Sequence, residues 1–257
     1  MSRFYGLIQN EMIKIFQRTR TWVLIAALVF CDLVFAIVMK KFTHGTGMVY
    51  NVWDFCSDST NLLIGVNICG LVIAGDIVAS EFAWGTIKLL LIRPIKRYKI
   101  LLSKYVTVLL FTVFLLLLLY VFSLIFGAIF FGFSHTLESI YTLAGTFLTY
   151  SNQSINILIS LTFAFMLSTA FRSSSLSISL SIMIVFLSKT VVEALSYSKI
   201  TWGKYIVFSN TDFSQFTKGE PLFTGMTPGF SITVLLIYYL AFLFISWLVF
   251  TKRDVAV

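Results

Sequence analysis

The sequence predicts an all-α polytopic membrane protein: six transmembrane helices, an amphipathic interfacial helix ahead of them, and a short cytoplasmic helix between spans two and three. Three observations carry this. Of 257 residues, 58% are hydrophobic and 12% charged, with a mean hydropathy of +0.93. A soluble domain carries about 25% charged residues. Uncharged runs near or beyond the ~18 residues that mark a membrane helix recur along the chain. Lysine and arginine gather at the ends of those runs, where anionic headgroups and the positive-inside bias place them. The net charge of +8 therefore belongs to a membrane surface and excludes a nucleic-acid partner.

The first element is the lead segment, residues 1–20. Phe4, Tyr5, Ile8, Met12, Ile15 and Phe16 fall on one helical face, and Arg3, Asn10, Glu11, Lys14, Gln17 and Arg18 on the other. That separation predicts a helix lying on the membrane, not the apolar core of a cleaved signal peptide. Six spans follow, at about Thr21 to Met39, Leu62 to Ala79, Tyr105 to Phe131, Gln153 to Phe171, Leu176 to Ala194 and Ser231 to Phe250. Each approaches the ~20 residues a helix needs to cross. The fourth begins in the polar "SNQSINILIS", and is kept because no charge follows until Arg172. Serines alternating in "RSSSLSISLS" read as small helix-packing residues. Cys31 and Cys69 fall within spans and Cys56 in a loop, so no disulfide framework is legible. No repeat or linker divides the chain, and residues 1–257 form one transmembrane domain.

Arg3, Lys14, Arg18 and Arg20 precede span one; Lys88, Arg93, Lys96, Arg97, Lys99 and Lys104 lie between spans two and three; Lys252 and Arg253 end the chain. The connection after span three has neither Lys nor Arg. Both termini are thus expected in the cytoplasm. The first and fifth connections, whose lysines are offset by Asp54, Asp58, Asp212 and Glu220, are expected outside. The fifth, 196–230, suits a structured external cap.

Segment 80–104, containing "EFAWGTIKLLLIRPIKRYKILLSK", is expected to have structure of its own. Ser80 and Glu81 suit a helix start, with the acid near the positive helix end. "FAWGTIKLLLI" suits an apolar helix, and Pro94 ends it and suits the first turn of the next, which leads through Lys104 into span three. Lys104 reads as a lipid-facing anchor. The ordered set Glu81, Gly85-Thr86, Lys88, Leu90-Leu91, Arg93-Pro94, Arg97 and Lys104 resembles the cytoplasmic signature of ABC transporter type 2 permeases. In particular it resembles the bacitracin-resistance, lantibiotic-immunity and peptide-toxin export permeases. The lead helix, the six spans and the cytoplasmic ends extend the likeness over the whole chain.

The resemblance implies a permease subunit of an ATP-driven exporter in the bacterial cell membrane. It implies a second permease subunit, identical or homologous, two copies of a separate ATPase that holds ATP and Mg, and an amphipathic or antimicrobial peptide as cargo. The chain itself would hold no cofactor. Segment 80–104 becomes the ATPase-coupling element: Glu81 to pair with a basic residue of the ATPase, Trp84 with Ile87 and Leu90 to fill an apolar groove, Gly85 and Thr86 as part of the signature, and Arg93 and Arg97 to grip carboxylates or phosphates around the rigid Pro94.

Four charges fall inside spans: Asp32, Asp76, Lys189 and Glu193. Asp32 lies mid-span, where a charge costs about 2.5–3.5 kcal/mol and must face protein or a water-filled cavity. Lys189 and Glu193 stand four apart on span five and can pair there. Counted from the cytoplasmic end at ~1.5 Å per residue, Asp32 and Lys189 reach similar depths, so an interhelical Asp32–Lys189 pair is expected, as helix register or as a substrate path. Asp76 is expected to orient the start of the coupling segment. Asn152, Gln153 and Asn156 are either exit-lining or interfacial. There is no Gly-x-x-x-x-Gly-Lys-Ser/Thr run and no Gly-x-Ser-x-Gly elbow, and His44 and His135 lack partners at metal-ligand spacing. Enzyme chemistry in this chain and a metal site are therefore not expected. Two alternatives stay open: the same architecture exporting sodium ion, lipid or a small drug, and a non-transporting membrane scaffold or immunity protein.

Overall fold

A computed structural model describes residues 2–46, 50–85, 96–133, 143–198, 200–217, 219 and 221–252. Among them the secondary structure is helical, with no strand. The helices are α1 (Ser2–Gln17), α2 (Thr19–Thr46), α3 (Val52–Asp58), α4 (Leu63–Asp76), α5 (Ala79–Ala83), α6 (Arg97–Phe130), α7 (Leu143–Ala170), α8 (Ser174–Tyr197), α9 (Ser214–Thr217) and α10 (Pro228–Lys252). Short 3-10 turns at Ser59–Leu62, Thr201–Tyr205 and Val207–Asn210 complete them. Among the described residues six stretches are long and apolar enough to cross a membrane: Thr19–Gly45, Val52–Ala83, Arg97–Phe130, Gly145–Ala170, Ser174–Tyr197 and Pro228–Lys252.

The six expected spans are all present, and their ends differ for local reasons. Span four starts well before Gln153, because its polar residues satisfy themselves within the helix. Thr149 Oγ1 donates to Gly145 O at 3.0 Å and Ser154 Oγ to Tyr150 O at 2.8 Å, the back-bonding open to a helical Ser or Thr. Span three starts at Arg97, after an extended Lys96, so Lys104 lies inside the helix. Span two is not one helix. α3 is fixed by a reciprocal cap in which Asn51 N–H donates to Asp54 Oδ2 at 3.0 Å, a 3-10 turn follows, and α4 then runs to Asp76. Cys56, expected in a loop, is buried on α3 beside the fully enclosed Phe55, whose ring stacks on Phe131.

The second span, Val52–Ala83, is the most enclosed of the six, and α4 within it is apolar apart from Asn67 and Asp76. α4 packs against α6, α7 and α8, while α2 packs chiefly on α6 and α10 on α7. Gly75 makes the α4–α8 contact possible: a Cβ there would stand 3.2 Å from Ile178 Cα, a backbone atom that cannot turn aside. The main core joins Leu63, Val66, Leu71 and Ile73 of α4 to Phe111 and Leu115 of α6 and to Leu161 and Phe165 of α7.

The cap predicted at 196–230 is present as two 3-10 turns and α9. Its hub is Asn210, whose Nδ2 donates to Lys204 O and Ile206 O, both at 2.8 Å, while its Oδ1 accepts from Ser231 Oγ of α10 at 2.8 Å. Asn156 of α7 donates to Thr211 Oγ1 at 3.1 Å. It pins the cap to the bundle, which corrects its reading as an exit or interfacial group. Gln153 is exposed and Asn152 half-buried.

Candidate functional site

At the opposite end of the bundle from the cap, α1, α5 and α6 meet around one lysine. Lys104 is fully buried. Its ammonium donates to Glu11 Oε2 at 2.7 Å, Glu81 Oε1 at 2.7 Å and Ile77 O at 3.3 Å. Lys14 completes a four-charge knot, reaching Glu11 Oε1 at 2.7 Å and Glu81 Oε1 at 3.3 Å. Two cations against two carboxylates leave no net charge, which is the condition for enclosing charged groups without a large desolvation loss. Burial pushes the Glu11 carboxyl up, but the charges and hydrogen bonds of Lys104 and Lys14 outweigh it and hold the group below its ordinary value. Burial likewise pulls the Lys14 ammonium down, and Glu11 and Glu81 outweigh it, holding the group above its ordinary value.

The backbone is arranged to suit. The helix breaks between α4 and α5, freeing polar groups that need partners. The N–H groups of Val78 and Ala79 donate to Ser168 Oγ of α7 at 3.1 and 3.0 Å, and the Ile77 carbonyl takes Lys104. Just below, Asp76 accepts from Arg18, Arg20 and Ser174 Oγ, joining the α1–α2 bend to α4 and α8. Thr21 Oγ1 donates to Ile15 O at 2.7 Å and fixes that bend. A small cleft between α1 and α4–α5 is lined by Lys14, Arg18, Asp76, Ser80 and Glu81.

Several expectations are corrected here. Glu81 does not project toward a partner; it is enclosed and turned inward onto Lys104 and Lys14. Lys104 is not a lipid-facing anchor but the centre of the knot, because the helix that carries it starts at Arg97 and points it at two carboxylates. The lead helix does not present Glu11 to water. Leu7, Glu11 and Ile15, at successive i, i+4 positions, face inward, while Tyr5 is 70% exposed. Ser80 is not a helix cap: α5 starts at Ala79 after Val78 and ends at Ala83. Asp76, expected to orient the start of the segment, has its three side-chain partners on the α1–α2 bend and α8, outside segment 80–104.

Of the other predicted coupling residues, Trp84 is 82% exposed, and Gly85 follows it at φ +68°, a left-handed conformation open to glycine. Thr86, Arg93 and Pro94, with Ile87, Lys88, Leu90 and Leu91, lie outside the described residues. Arg97 donates to Thr251 O at 3.2 Å, tying the foot of α6 to the end of α10.

The intramembrane triad does not assemble. Asp32 is fully buried and accepts from Ser123 Oγ of α6 at 3.2 and 3.3 Å. Lys189 and Glu193 are exposed on α8. Among the described residues no ion pair joins Lys189 to Asp32 or to Glu193, since α2 packs on α6 whereas α8 packs on α4 and α7. Among those residues there is also no group of three or more His, Cys, Asp or Glu able to hold a metal ion.

A family model described as "Protein of unknown function (DUF2705)" matches residues 23–256. The chain belongs to the DUF2705 family. Within the matched region lie Asp76, Glu81 and Lys104; Glu11, Lys14, Arg18 and Arg20 precede it. Two relatives of Bacillus subtilis (strain 168) align over nearly their full lengths. "Uncharacterized protein YhcI" is 36% identical, with 98% of this chain and 99% of the relative covered. "Uncharacterized membrane protein YdbK" is 35% identical, with 95% of this chain and 100% of the relative covered. The second name agrees with the six apolar helices: this is a membrane protein.

Proposed function

We propose that this chain is the permease subunit of an ATP-driven ABC exporter in a bacterial cell membrane, with both termini cytoplasmic. A separate ATPase would hold ATP and Mg, and the cargo would be an amphipathic or antimicrobial peptide. The observation that carries this is the Glu81–Lys104 ion pair at 2.7 Å. It clamps together the two roots of a segment more than twenty residues long, and Glu11 adds the lead helix to the same clamp. A force applied to the loop is then delivered to α1, α4–α5 and α6 as one unit, with α10 reached through Arg97. The exposed Trp84 at the loop's entry supplies an apolar contact for the partner, and the enclosed Glu81 takes the role of holding the loop's root.

The test is affinity purification from the native membrane in mild detergent, with mass spectrometry of bound proteins. A stoichiometric P-loop ATPase, retained by the wild-type chain and lost on Trp84→Ala or Arg93→Ala, is the expected result. A chain that emerges alone, or only with proteins lacking a P-loop, sinks the proposal in favour of a membrane scaffold. Stimulation of the complex's ATPase by amphipathic peptides, against sodium ion, lipid and small drugs as comparators, assigns the cargo.

A further inference from the structure

Three spans lie at the edge of the bundle with most of their surface uncovered: α2, α8 and α10. Two of them expose what a lipid-facing helix should. α2 shows Phe30, Val34, Ile37 and Val38, and α10 shows Leu236, Ile237, Leu240 and Phe244. α8 does not. Lys189 and Glu193 are both exposed on it, and neither has an ion-pair partner among the described residues.

Their depth makes this costly. Ser174, at the start of α8, bonds Asp76 at the charged end of the bundle. At ~1.5 Å per residue, Lys189 then lies about 22 Å along the helix and Glu193 about 28 Å, against a hydrocarbon thickness of about 30 Å. Tyr197, 93% exposed, sits one turn further on, at the level where aromatic belts form. A lysine and a glutamate on a lipid-facing surface at these depths are disfavoured unless covered.

They also belong to a pattern. Ser175, Ser179, Ile182, Phe186, Lys189 and Glu193 follow one another at spacings of four and three, the 3.5-residue period of a seam between parallel helices. All of them except the half-buried Ile182 are exposed. The serines let two backbones come close near the charged end, and the two opposite charges complement each other near the other end. We propose that this seam of α8 is the contact between two copies of the chain, related by a two-fold axis along the membrane normal, with Lys189 of each copy pairing with Glu193 of the other. A two-fold contact uses the same patch twice, and a surface carrying both signs one turn apart is complementary to itself. The offset of one turn is within reach of the lysine stem. This names the face through which the permease–permease pairing of the proposed function is made, and does not require the ATPase.

The test uses the purified full chain reconstituted alone in lipid vesicles, so absence of an ATPase does not affect its outcome. In a Cys31→Ala background, Cys56 and Cys69 remain buried, and single cysteines are placed at Ser179 or Ser175 on the seam, with Leu240→Cys on α10 as a lipid-facing control. Oxidation is expected to give a dimer band on a non-reducing gel for both seam positions and several-fold less for the control. Lys189→Glu and Glu193→Lys should each reduce the dimer, and the double exchange should restore it. Seam cysteines that crosslink no better than the control, in chains that elute as monodisperse folded protein, overturn the proposal. So do single charge reversals that leave the dimer fraction unchanged, which would place both charges at the lipid–water boundary.

Discussion

The two ends of the bundle are held by different chemistry. At one end, Glu11, Lys14, Glu81 and Lys104 interlock with barely any water reaching Lys104. At the other, the cap is fastened mainly by amides: Asn210 to two carbonyls and Ser231, Asn156 to Thr211, and Gln215 Nε2 to Asp212 O at 2.7 Å. A buried charge knot is all-or-none, since losing one member strands the others, whereas each amide can be lost with only local damage. Under the proposed function, the first end transmits force and the second has only to stay closed.

Breaking the knot at its centre should have the largest effect. Lys104→Met leaves the Glu11 and Glu81 carboxylates facing each other, and should lower stability by about 3–5 kcal/mol, read as a large fall in thermal unfolding temperature in detergent. Adding Glu11→Gln and Glu81→Gln to that variant should recover much of the loss. Full stability in the single variant would show that the knot is not closed in the membrane. At the other end, Asn210→Ala should cost about 1–3 kcal/mol, with new proteolytic cleavage confined to 196–230. Cleavage spreading to α1 would show the two ends to be coupled.

Dependence on pH sharpens the contrast further. Glu11 is held below its ordinary value in the fold, so its contribution is complete above the unfolded carboxylate range and fades as pH falls through the lowered native value. Lys14 is held above its ordinary value, so its contribution is complete below the unfolded lysine value and fades as pH rises through the raised native value. Between those limits the contributions of Glu11 and Lys14 are flat. Glu11→Gln should remove the acid-side loss in a melting series against pH, and Asn210→Ala should leave that profile's shape unchanged. The smallest effect on stability belongs to Trp84→Ala, within about 0.5 kcal/mol because the ring is exposed. The same variant should nevertheless lose the co-purifying ATPase.

The crowded end of the molecule was legible in the sequence, but the partners of its charges were not. Glu81 and Lys104 stand at the two ends of one basic run, and the positive-inside rule reads such a run as facing lipid and cytoplasm. Nothing in that rule says that the chain doubles back and brings the two within hydrogen-bonding distance. Glu11 had a readable signal: Leu7, Glu11 and Ile15 share a helical line, so an acid sat in the middle of an inward stripe. It was masked by the neighbouring polar residues Asn10, Lys14 and Gln17. Asp32 was rightly expected to be enclosed, but its partner is the uncharged Ser123 rather than Lys189. Depth along a helix can be counted from the sequence, and the direction in which the residue faces cannot.

What the sequence determined by itself was the class, the number of spans, the existence of the lead helix and the presence of a structured cap. These follow from hydrophobic length, charge placement and local polarity, which act over a turn or two of helix. What only the tertiary structure decided was which charges meet. Ion pairs between α1, α5 and α6 depend on helix rotation and on the break after Asp76, and those are fixed by packing contacts such as Gly75 on Ile178 and by Ser168 capping the broken end. The reason is one of range: burial of apolar surface is a property of a segment, while a buried ion pair is a property of two or three segments placed to within an ångström.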